Sequence, residues 1–144
     1  MILNPIDKSN YLRGLLLLIK SNKSINETEK KRIKEVSNVL GFNGHFVDNA
    51  ISDLLDNEFL VESPPKFTNH KLAETFIKDA IKISLIEDVL NIYKIHWLML
   101  FAINNDLSKQ WLFMELEYFF ENDNPNSNDG FEIQHYLNEE VAVA

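Results

Sequence analysis

The chain has no cysteine. That excludes disulfides, thiolate metal sites, a CxxC redox motif and a cysteine nucleophile. It suits a reducing compartment, so a cytoplasmic location is expected. Glycine and proline are scarce, four of each in 144 residues, which favours long helices over many turns. Long apolar runs are also missing. The longest, Ile95–Ile103, is about nine residues and contains His96, whereas a membrane-spanning helix needs about twenty. The start, MILNPIDKSN, lacks a basic region, and no small-residue cleavage site follows Leu15–Ile19, so no signal peptide is read.

The motifs of common chemistries are absent as well. There is no GxSxG, Walker or GxGxxG pattern. The four histidines, His45, His70, His96 and His135, fall in four segments without zinc-site spacing. His96 reads as a core histidine held by a hydrogen bond rather than as a buried switch. Glu115 with Glu117, Glu121 with Asp123, and Glu87 with Asp88 are close in sequence. Residues i and i+2 on a helix point apart, so these are expected to be solvated faces rather than a catalytic pair. No enzyme and no cofactor are expected.

What is present is charge of uneven sign. Residues 1–36 hold eight Lys/Arg against four Asp/Glu, and the remainder six against eighteen, giving +4 and −12 within a net −8. The acidic majority disfavours nucleic-acid binding. Lys30, Lys31, Arg32 and Lys34, with Lys20 and Lys23 nearby, nevertheless form a local basic cluster. It reads first as the polar face of an amphipathic helix with Glu27 paired to Lys31, and docking to an anionic lipid, nucleic acid or acidic partner, hence peripheral membrane association, is the alternative.

The chain reads around Tyr11–Phe42. Leu12, Leu15, Leu16 and Ile19 mark one face of a helix over 8–20. Asn26 and Glu29 form a capping-box pair opening a second helix, which Gly41 ends. A third helix, 44–57, turns Phe46, Val47, Ala50, Ile51, Leu54 and Leu55 inward. Pro64 and Pro65 stiffen a connector, and Thr68 or Asn69 caps a fourth helix carrying Leu72, Phe76, Ile77, Ala80 and Ile81. Glu87–Asp88 marks a break, a fifth helix runs over 88–104, and a sixth over 108–121. The sixth is aromatic on nearly every side, from Trp111 to Phe120. Either Phe131–Leu137 folds back over it, which is the favoured reading, or another chain covers it. No segment alternates like a strand. The expected fold is all-α, a compact bundle of about six to seven helices in two weakly similar helix-loop-helix halves. The halves match at an offset of 64 residues, with Glu29 falling on Tyr93. Residues 1–122 form the bundle, and 123–144 an acidic linker with a short terminal helix and a frayed end.

LRGLLLLIKSNKSINETEKKRIKEVSNVLGF, the Pro-Pro connector and LAETFIKDAIKISLIEDVL together resemble the TerB-like (tellurite-resistance TerB) domain over roughly residues 9–108. That family's first helix ends in Ala-x-Ala-Asp-Gly-x-Ile-Asp-x-x-Glu. The resemblance implies a bundle of about seven helices. It further implies a non-catalytic partner domain in stress-response or phage-defence settings at the membrane's inner face, with acidic helix junctions viewed as a metal site. This chain departs at those junctions. Asn22 and Lys23 stand at the Asp-Gly pair, Asn26 at the second Asp, and Ile86 and Glu87 at the second junction. Only Glu29 keeps its carboxylate, so Asn22, Asn26 and Glu29 are weak ligands for a hard cation. The expectation is an interaction or adaptor domain, with a degenerate metal-sensor domain as the alternative. Its surface would comprise Lys23, Lys30, Lys31, Lys34, Trp111, Tyr118 and Phe119, contacting a protein partner or a second copy through helix 108–121.

Overall fold

A computed structural model of the chain describes residues 3–20, 25–56, 63–84, 92–122 and 130–143. Seven helices and no strand occur among them: α1 Pro5–Lys20, α2 Glu27–Leu40, α3 Gly44–Asp56, α4 His70–Ser84, α5 Ile92–Asn104, α6 Lys109–Asn122 and α7 Glu132–Val143. The expected all-α bundle is thus what the chain forms.

Local chemistry sets most of the ends. α1 begins three residues earlier than its apolar periodicity suggests. The Asn4 side chain accepts the Ile6 amide at 2.8 Å, and Pro5 takes the first position, where a missing N–H costs nothing. The capping box at α2 is complete: Asn26 accepts the Glu29 amide at 2.8 Å, and Glu29 accepts the Asn26 amide at 3.2 Å. Gly41 closes α2 in the left-handed region at φ 91°, where a side chain would be strained. Asn69 caps α4 by accepting the Leu72 amide at 2.7 Å. Asp106 ends α5 in the same left-handed region, φ 58°, while the Leu107 amide reaches back to Ala102 O. The expected break at Glu87–Asp88 and the linker over 123–129 lie outside the described residues.

Packing shifts the centre of the molecule away from Tyr11–Phe42. α4 touches every other helix except α3. It can do so because it is buried nearly all round, with Leu72, Phe76, Ile77, Ala80 and Ile83 inaccessible or nearly so. α1 crosses it closely at Gly14, where a Cβ would sit 2.8 Å from the Phe76 ring. That ring stacks on Phe101 at 4.5 Å and meets Tyr11 edge-on at 5.2 Å, so α1, α4 and α5 share one aromatic core. Asn105 ties in the connector, donating to Pro65 O at 2.9 Å and accepting the Phe67 amide at 2.8 Å.

Two inward assignments fail. Phe46 is 55% exposed and stacks on Phe42 at the surface instead of entering the core. α7 does not cover α6 either. It packs on α4 and α2, while α6 packs on α4 and α5.

Candidate functional site

The first helix junction is a buried ion pair. Glu29 is 4% exposed and Lys94, from α5, 1%. The Lys94 ammonium donates to Glu29 Oε2 at 2.8 Å and to the carbonyl of Ser84, the last residue of α4, at 2.9 Å. Glu29 Oε1 is already engaged by the Asn26 amide. One lysine therefore answers a carboxylate at the start of α2 and the negative end of α4 together. Asn26 lies at the surface, and Asn22 and Lys23 lie outside the described residues. Both Glu29 oxygens are committed, so Glu29 offers no free oxygen to a divalent cation, which needs several such ligands. Among the described residues no group of three or more His, Asp or Glu could hold a metal ion.

The basic cluster sits on the outer face of α2. Lys30, Lys31 and Lys34 line a shallow open depression with Glu27, Glu35 and Asn38. Lys34 reaches across to Asp48 of α3 at 3.0 Å. Hydrogen bonding to that ammonium holds the Asp48 carboxyl below its ordinary range. The lysines are thus interleaved with carboxylates, which weakens the depression as an anion site.

The α5–α6 hairpin differs in kind. Ten large apolar side chains are exposed among the described residues, and eight of them lie here. They are Ile92, Tyr93, Leu100 and Ile103 of α5, and Phe113, Met114, Tyr118 and Phe120 of α6, between 41 and 72% exposed. Both helices lean on α4 and on each other, so both turn their opposite sides to solvent. α5 is inverted with respect to an ordinary surface helix. Its only charged residue, Lys94, is buried, while Ile92 is its most exposed large apolar side chain at 72%. His96 also lies on the exposed side, so it is not the core histidine its apolar neighbours suggest. Of the three aromatics singled out on α6, Tyr118 is on the outer face. Trp111 and Phe119 are partly buried and pack against the core. A sequence aromatic on all sides does not say which side faces α4. Phe113, Met114 and Phe120 share the exposed side with Tyr118.

A third polar centre lies under α7. Asp79 of α4 is fully buried and accepts the Glu132 amide at 2.7 Å, the Ile133 amide at 3.1 Å and the Tyr11 hydroxyl at 2.6 Å. It is an N-terminal cap supplied by another helix. Burial pushes its pKa up to about 6 although these donors pull it down. The same burial, with Asp79 beside it, raises the Tyr11 hydroxyl well above its ordinary value. Every oxygen here is satisfied within the fold, so the arrangement is structural. Neither Asp79 nor Lys94 was singled out from the sequence. Lys94 left one signal, a lone charge in an otherwise apolar helix, and Asp79 left none.

No helix among the described residues is long and apolar enough to cross a membrane. No family model, curated protein or solved structure matches the chain.

Proposed function

We propose that this chain is a non-catalytic interaction or adaptor domain that docks through the outer side of the α5–α6 hairpin. One observation carries the reading: eight of the ten exposed large apolar side chains gather on two adjacent helices. A typical monomer's largest apolar patch measures about 300–600 Å². Eight half-exposed side chains, at roughly 200 Å² each for aromatic-sized groups, offer on the order of 800 Å². The polar centres are meanwhile consumed internally, by Lys94 at one junction and by the α7 amides at another, which favours surface recognition over a reaction. On the resemblance to TerB-like domains, the proposed setting of such an adaptor is a bacterial stress response or phage defence in the cytoplasm.

The test is site-specific photocrosslinking in the producing cell, with the photoreactive residue at position 118 or, as a control, at position 31. Crosslinked protein at 118 and none at 31 is the expected result. Crosslinks confined to 31 would move docking to the basic depression on α2.

A further inference from the structure

We infer that the occupant of the hairpin's outer face is a second copy of this chain, packed across a two-fold axis with α5 antiparallel to its counterpart. The inference rests on the docking reading above and adds the partner and its register.

Three observations carry it. The first is charge. α5 exposes no charged side chain, since its only one, Lys94, is buried against Glu29. In a two-fold interface the residues nearest the axis meet their own copies, so a charge there would face a like charge, a cost that an uncharged face avoids. The outer side of α6 carries exposed Glu117 and Glu121 between its apolar residues, so α6 suits the flank and α5 the axis.

The second is spacing. Ile92, His96, Leu100 and Ile103 are all exposed and recur at intervals of four, four and three. At 3.6 residues per turn they fall within roughly 80° of arc, a single stripe. That stripe is close to palindromic. Reversed on itself, it sets Ile92 opposite Ile103 of the second copy and His96 opposite Leu100. A two-fold interface must be self-complementary in this sense. A parallel arrangement would stack His96 on itself.

The third is area. The hairpin offers on the order of 800 Å² of apolar surface, close to what each partner gives to a standard-sized interface. The carboxy-terminal helix cannot supply the cover, because α7 is already seated on α4 and α2.

The absence of cysteine makes the register directly testable. The variants are Ile92→Cys and Ile103→Cys in the full chain, oxidised separately and as an equimolar mixture. The mixture is expected to give a crosslinked dimer, and each variant alone little. Efficient crosslinking of either variant with itself would overturn the antiparallel register. Sedimentation equilibrium supplies the second arm. The wild type is expected to be dimeric and Leu100→Glu monomeric, with unchanged helical circular dichroism as the check on folding. Lys31→Glu on α2 is expected to remain dimeric. A wild type that stays monomeric to its solubility limit would overturn the second copy alone, leaving the docking reading to the position-118 crosslink. A dimer indifferent to both Leu100→Glu and Met114→Glu would overturn the two together.

Discussion

α7 and the α5–α6 hairpin both rest on α4, and they do so by opposite means. α7 is fastened by polar ties. Asp79 caps its start, Lys82 donates to Gly130 O at 2.7 Å just ahead of it, Lys71 pairs with Glu139 at 2.7 Å, and Asn69 reaches the Tyr136 hydroxyl at 3.1 Å. Its apolar residues Phe131, Ile133 and Tyr136 are buried. α5 of the hairpin instead buries its lysine and leaves isoleucines in water. α5 is also the more apolar helix, with only Lys94, His96 and Asn104 polar along its length. The side on which the charge lies separates them further: α7 turns Glu139 to solvent, whereas α5 buries its one charge and leaves its outer side apolar among the described residues.

The contrast can be broken from the inside of α5 first. Lys94→Met leaves Glu29 buried without its cation, and the expected loss is about 3–5 kcal/mol, read from denaturant midpoints. Lys94→Met with Glu29→Gln is expected to recover part of that loss, since the stranded charge is gone. If Lys94→Met costs nothing, the inversion of α5 has no energetic basis.

The α7 seam is next. Asp79→Ala orphans two amides and the Tyr11 hydroxyl, with an expected loss of about 2–3 kcal/mol and faster hydrogen exchange over residues 131–137. An equal rise over α6 would show that the two elements are not independent.

A smaller, pH-dependent effect belongs to the same carboxyl. Its folded pKa, about 6, stands above the ordinary carboxyl value. The folded state therefore binds the extra proton between roughly pH 4 and 6, and this group's contribution to stability rises as pH falls through that window and is lost above it. The slope is at most about 1.4 kcal/mol per pH unit. Subtracting the stability profile of Asp79→Asn from that of the wild type isolates it. A flat difference would place Asp79 in a more solvated setting than its burial indicates.

The smallest effect is expected where most apolar surface shows. Met114→Ser and Phe113→Ser, on the outer side of α6, should change monomer stability by no more than about 0.5 kcal/mol. A large loss would mean the face already has cover within the chain.

Much of the fold was legible because its signals are local. The Asn26–Glu29 box, Gly41, the Asn69 cap and the stop after Asn104 depend on neighbours within a few residues, and periodicity marks the helix cores. What failed depends on which helix meets which. The central place of α4 arises from partners spread along the whole chain. The 64-residue echo aligned Glu29 with Tyr93, which is exposed, whereas the buried counterpart is the next residue, Lys94, paired to Glu29 itself. The direction of His96 and of the α6 aromatics likewise depends on tertiary packing, and a helix apolar on every side carries no local record of it.

The Glu29–Lys94 pair joins positions 65 residues apart and also holds the last carbonyl of α4. Before α5 docks, Glu29 can cap α2 while fully hydrated, so the cap itself needs nothing from the second half. Once α5 arrives, the carboxylate loses its water and retains a charge partner only while both halves stay together. A partial opening that parts the pair before water reaches it would leave a buried, unpaired ion, which favours the two halves opening together. Closure across so long a loop also makes this contact a late event in folding, set by the chain's topology rather than by its local helices.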